Sequence, residues 1–110
     1  MELREIATDV YACLTPDRGL GWSNSGFLNR GGGLVVDTFW DLRHTEDLIA
    51  LYRRVAAAPA RRLVNTHHNG DHCWGNQLFH GAEIIGPGLL SRIIRDCNLT
   101  RDEFADLSKA

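Results

Sequence analysis

The stretch Val64-Asn65-Thr66-His67-His68-Asn69-Gly70-Asp71-His72-Cys73-Trp74-Gly75-Asn76 constrains this chain more than any other. It carries three of the five histidines, together with an aspartate and a cysteine. Just before it, Arg61-Arg62-Leu63-Val64-Asn65 reads as a short strand with Leu63 and Val64 as its apolar core. The segment is therefore a strand that ends in a tight loop loaded with metal-capable side chains. Imidazole nitrogen and carboxylate oxygen are ligands that catalytic zinc prefers, and a thiolate suits zinc as well. Gly70 and Gly75 supply the sharp turns such a loop needs.

Thr66-His67-x-x-x-Asp71-His72 followed by Gly75-Asn76 resembles the Thr-His-x-His-x-Asp-His signature of the metallo-β-lactamase superfamily. Aligned on Asp71 and His72, the family's first histidine falls on His67 and its second on Asn69. His68 lies one place early, and on an extended backbone it points to the opposite side. Upstream, Leu34-Val35-Val36-Asp37-Thr38 resembles the family's apolar strand that closes in Asp-Thr or Asp-Ser. The resemblance implies an α/β fold, half of an αββα sandwich, with a mixed sheet and helices on one face. It also implies a metal-dependent hydrolase in which metal-bound hydroxide attacks an ester, thioester or lactam-type small molecule.

By the same resemblance the metal ligands are His67, Asp71 and His72, with Asp71 also catalytic, orienting the nucleophile and accepting its proton. The cofactor is zinc, one or two ions, with iron or manganese as alternatives. Family members take further histidines and a bridging aspartate from later in the chain. Here the first metal position keeps only His67, and the second keeps Asp71 and His72. His68 stands in for Asn69 if the loop turns over, against a solvent-facing reading, and Cys73 is a neighbouring donor or a small buried residue. Two other readings stay open: a catalytically silent half-domain that serves folding or assembly, and a non-hydrolytic enzyme of secondary metabolism.

At 110 residues the chain is long enough for one domain, 1–110, and superfamily members are roughly twice this size. Composition is ordinary for a globular protein, 44% hydrophobic and 24% charged. A net charge of −2 with no basic cluster beyond Arg53-Arg54 and Arg61-Arg62 argues against nucleic acid, and no run is long enough to span a membrane. Three scattered cysteines, Cys13, Cys73 and Cys97, read as reduced thiols and a cytoplasmic setting.

Along the chain, Leu3–Ala7 and Asp9–Leu14 read as strands joined by a Thr8-Asp9 turn. In the resembling family a loop in the region of Thr15–Gly21 hangs over the metal, which implies Leu20 and Trp22 as substrate contacts; the other reading has Trp22 cover the edge of a small core. Gly31-Gly32-Gly33 turns a hairpin into Leu34–Asp37; a strand rather than a helix follows, so it is no phosphate cradle. Asp41 caps a helix from Leu42 to about Ala56, stopped by Pro59, with His44 solvated in its first turn. That helix between two strands makes a βαβ unit, with Asp37 and the His67–His72 loop at the carboxyl ends of parallel strands. Asp37 is expected to orient the loop as an acceptor rather than to ligate. Cys73–Phe79 is expected to turn Trp74 and Phe79 inward, with His80 on the surface. Ala82–Ile85 reads as a strand, Leu89–Cys97 as a helix, and Thr100-Arg101-Asp102-Glu103 as the start of a last helix. One layer of helices leaves one face of the sheet uncovered, which implies a two-fold dimer.

Overall fold

The computed structural model describes residues 1–16 and 18–96, so Cys97 and the helix expected from Thr100 lie outside the described residues. Six strands form one mixed sheet in chain order: β1 (Glu2–Ala7), β2 (Val10–Leu14), β3 (Ser25–Leu28), β4 (Leu34–Val36), β5 (Arg62–Val64) and β6 (Glu83–Ile85). β1 to β4 run antiparallel through hairpins, and β4, β5 and β6 run parallel. Helix α1 (Leu42–Tyr52) crosses from β4 to β5, a single turn α2 (Gly70–Cys73) follows β5, and α3 (Pro87–Asp96) follows β6. The expected α/β architecture and its βαβ unit are therefore present. No described helix is long and apolar enough to cross a membrane.

The register sorts the sheet into two faces, because side chains alternate along a strand. Cys13, Phe27, Val35 and Leu63 share the face that takes α1, and each is at most 2% exposed. Leu48 and Tyr52 come down from α1 onto them, and the Phe27 and Tyr52 rings stack at 4.8 Å. Each such side chain contributes about 1.5–3 kcal/mol by leaving water. Burial pushes the Cys13 thiol up to about 11, so it acts as a small apolar group. The Tyr52 hydroxyl donates to Ser25 Oγ at 2.7 Å, which in turn donates to the Val36 and Asp37 carbonyls. The opposite face carries Val10, Ala12, Leu14, Leu28, Leu34 and Val36, all half-buried.

Asp41 caps α1 as its sequence position implies, accepting from the His44 backbone N–H at 2.7 Å. Burial raises the Asp41 pKa, but hydrogen bonds from the His44 backbone and ring outweigh this and hold it below its usual value. The helix ends at Tyr52, not near Ala56. Arg54 and Val55 donate to carbonyls three residues back, so the ladder tightens into turns before Pro59 is reached. His44 also departs from expectation. It is half-buried, its Nδ1–H donates to the Asp41 carboxylate, and its ring lies 5.0 Å from Trp22 and 6.3 Å from Trp40. Trp74 is the clearest correction: it is 63% exposed and lies across Gly70 instead of turning inward. With α2 only one turn long, Trp74 bonds back to the Gly70 carbonyl, which leaves its side chain outside. Phe79 does pack against the core.

Candidate metal centre

The site lies where β4 and β5 end side by side. Val36 pairs with Val64, so the next residues, Asp37 and Asn65, leave the sheet together, and the Asp37 N–H still donates to the Val64 carbonyl at 2.8 Å. Asp37 then takes the left-handed conformation, with φ at 66°, which aspartate tolerates better than most residues. That bend turns its carboxylate back over the end of β5. It is 5% exposed, and the motif loop supplies the donors to both of its oxygens.

Oδ1 of Asp37 accepts from the Thr66 N–H at 2.8 Å. Oδ2 accepts from the Thr66 hydroxyl at 2.6 Å and from His72 Nδ1 at 2.9 Å. An ionised carboxylate only accepts, so His72 Nδ1 carries a proton, and in the neutral ring Nε2 is left with a lone pair. Thr66 extends the same constraint to His67. The Thr66 hydroxyl spends its single proton on Asp37, so at 3.0 Å it accepts from His67 Nδ1. His67 Nε2 is then a lone-pair donor too. One carboxylate thus sets both imidazoles in the tautomer that leaves Nε2 open to a metal, and the rings stand 4.5 Å apart.

Asp37, His67 and His72 place candidate ligand atoms within 4.8 Å of one another. Asp37 is nevertheless the orienting member, because both its oxygens are taken by the loop. Asp71 lies beside the pair, with Oδ2 3.6 Å from His72 Nε2. Two donors sharing one tetrahedral ion at bonds of about 2.0–2.2 Å stand about 3.3–3.6 Å apart. Asp71 and His72 are therefore spaced as two donors of one divalent ion, and a set of imidazole nitrogens and a carboxylate suits such an ion. Of the residues named from sequence, His67 and His72 are brought together, and Asp71 adjoins His72 alone.

The remaining candidates point elsewhere. Asn69 caps α2 through its backbone and is exposed, as is His68. The Cys73 thiol donates to the His68 and Asn69 carbonyls. Burial and the carboxylates of Asp37 and Asp71 raise its pKa, which disfavours a thiolate ligand. His80 is exposed on the surface.

The support under the loop is not apparent from sequence. The His72 carbonyl accepts from the Thr38 N–H at 2.9 Å and from Asn65 Nδ2 at 3.0 Å. Asn65 and Asn76 exchange amide hydrogen bonds, and Thr38 Oγ1 donates to Asn76 at 3.1 Å. Ser23 Oγ donates to the Asp71 carbonyl from the opposite side. Polar residues clustered just after two strand ends are the available signal.

A family model described as the metallo-beta-lactamase superfamily matches residues 18–102. The chain belongs to that superfamily. Its fold is shared with a metallo-β-lactamase from Hirschia baltica, at 24% identity over 90% of this chain and 48% of that one, with a TM-score of 0.63. A metallo-β-lactamase from Erythrobacter litoralis, solved with beta mercaptoethanol in its active site, is 29% identical over 76% of this chain and 39% of that one, with a TM-score of 0.58. FIM-1 from Pseudomonas aeruginosa, solved in a mono-zinc form, is 23% identical over 90% of this chain and 47% of that one, with a TM-score of 0.63. The chain spans about half or less of the length of these structures. No curated protein matches it. Within the superfamily signature, this chain keeps His67, Asp71 and His72 and has Asn69 at the second histidine position.

Proposed function

We propose that this chain is the metal-binding N-terminal half of a metal-dependent hydrolase acting on an ester, thioester or lactam-type small molecule. The observation that carries the reading is the pair His67 and His72, both set by Asp37 to present Nε2, with Asp71 3.6 Å from one of them. Bound zinc, iron or manganese supplies Lewis-acid chemistry, polarising a carbonyl oxygen and lowering the pKa of coordinated water. His67, His72 and Asp71 would hold the ion, Asp71 would also orient the attacking water and take its proton, and Asp37 keeps both rings in register. The competing reading, a catalytically silent unit, is favoured by exposed Asn69, whose neutral amide is a poor zinc ligand.

Metal analysis separates the two. After preparation with zinc, iron or manganese, the hydrolase reading expects near-stoichiometric metal; retention below about a tenth of an equivalent supports the silent unit, since a competent site keeps its ion. Asp71→Ala is expected to abolish turnover of a generic ester or thioester, and unchanged turnover removes Asp71 from the mechanism.

We infer further that the apolar sheet face bearing Ala12, Leu14, Leu28, Leu34 and Val36 takes a second copy of the chain as a two-fold dimer. Sedimentation at micromolar concentration is expected to give the dimer mass. Leu28→Lys is expected to shift it to monomer, because a charge placed in an apolar interface opposes its own like-charged copy across the axis. A wild-type monomer rejects the assembly.

A further inference from the structure

A second site lies away from the metal loop, at the far end of α1. Between that end of the helix and the Phe79 segment, side chains leave a cavity of about 250 Å³. Its floor is Phe27 and Val35 of the sheet, both buried, and Phe79 and Ala56 form part of its wall. Its exposed lining residues are Arg53, Ala58, Pro59 and His80, of which Arg53 and His80 are polar. Glycine at position 33 meets Ala60 near this end, whereas Asp37 and Thr66 leave the sheet at the other. The cavity and the metal loop are therefore separate.

Apolar cavities of about 150 Å³ stay dry and accept small apolar molecules, because their walls lack contacts that a guest restores. This one is larger, and it is open at a rim that carries Arg53. Neither aspartate nor glutamate lines it. The Arg53 guanidinium is held at the rim by donating to the Ala57 carbonyl, and among the described residues it makes no ion pair. Its other N–H donors are free to form charge-assisted bonds with a carboxylate. An apolar floor with the Arg53 guanidinium at the mouth selects a molecule with an apolar tail and an anionic head. We propose that this cavity binds a small monocarboxylate with a hydrocarbon tail, the tail in the pocket above Phe27 and Val35, along Ala56 and Phe79, and the carboxylate on Arg53 and His80.

Octanoate is the probe, with 1-octanol and octylamine as neutral and cationic controls. Calorimetry on the full chain without added metal is expected to show octanoate binding at least tenfold more tightly than either control. Its amide and ring shifts are expected at Phe27, Ala56 and Phe79 and not at His67–His72. Arg53→Gln, at an exposed position, is expected to bring octanoate down to the affinity of octanol while leaving octanol unchanged. Ala56→Leu, which fills the cavity, is expected to abolish both, with circular dichroism confirming that the variant is folded. Equal binding of octanoate and octanol by the wild type, an unchanged Arg53→Gln, or shifts confined to the metal loop overturns the proposal. So does the absence of octanoate binding to wild-type protein. None of these outcomes bears on metal binding, so this site and the proposed hydrolase site stand or fall separately.

Discussion

Replacing Asp37 by asparagine is expected to lower metal affinity about 10- to 100-fold, the usual cost of losing a group that orients a metal ligand. The fold should survive, because asparagine also tolerates the left-handed backbone at this position. The loss comes from proton placement. If the new amide keeps its oxygen toward the Thr66 N–H, its NH2 faces Thr66 Oγ1 and His72 Nδ1, where the carboxylate had accepted from both. His72 must then accept at Nδ1 and carry its proton on Nε2. The Thr66 hydroxyl, now an acceptor from the amide, turns its own proton toward His67 Nδ1, and that ring changes tautomer as well. Flipping the amide instead sets NH2 against the half-buried Thr66 N–H, which leaves donors facing donors. Nitrogen-15 shifts of the two imidazoles report the change without metal, and a zinc titration reports its consequence. Unaltered tautomers in Asp37→Asn would show that the carboxylate does not control the rings. Altered tautomers with unaltered affinity would show that His67 and His72 are not the ligands.

Much of this centre is legible in the amino-acid sequence. An apolar strand, a helix and a second apolar strand require a parallel βαβ unit, and parallel strands ending together place Asp37 beside the histidine loop. The acceptor role of Asp37 follows from that position. The relay through Thr66 does not, because it depends on which hydroxyl lone pair faces which nitrogen, a matter of tenths of an ångström. Trp74 misleads for a related reason. Apolar character argues for burial, yet a helix of one turn cannot rotate an indole inward while its backbone closes on Gly70. His44 misleads in the opposite sense. Its place in an exposed first turn gives no sign that Trp22, arriving from a loop 22 residues earlier, meets its ring edge-on. The network of Thr38, Asn65 and Asn76 joins residues from three separate segments. No periodicity within one segment encodes such a meeting.

Gly75→Ala is the substitution expected to damage the fold most for its size, by about 3 kcal/mol or more, at or beyond the top of the range for overpacked cores. Its backbone has φ at −85°, so alanine adopts the conformation without strain and the whole cost is contact. A methyl there would stand 2.0 Å from Thr45 Oγ1 and 2.7 Å from its Cβ and Cγ2. Thr45 has no room to yield: it is fully buried, donates to the Asp41 carbonyl at 2.8 Å and accepts from the Phe39 N–H. The Gly75 N–H is itself committed to the Phe39 carbonyl at 3.0 Å, so the strain must move the whole α2 segment off α1. Gly70 is the control. A methyl there meets the Trp74 ring at 2.2 Å, a comparable overlap, but that indole is 63% exposed and swings into water. Gly70→Ala should therefore cost less than about 1 kcal/mol, as surface changes usually do. Urea unfolding of both variants measures the contrast. Thr45→Ala, which removes Oγ1 and Cγ2 but not Cβ, should recover part of the Gly75→Ala loss in a double-mutant cycle, since the two residues touch. Equal losses at Gly70 and Gly75, or strict additivity between positions 45 and 75, would place the cost of the methyl somewhere other than this contact.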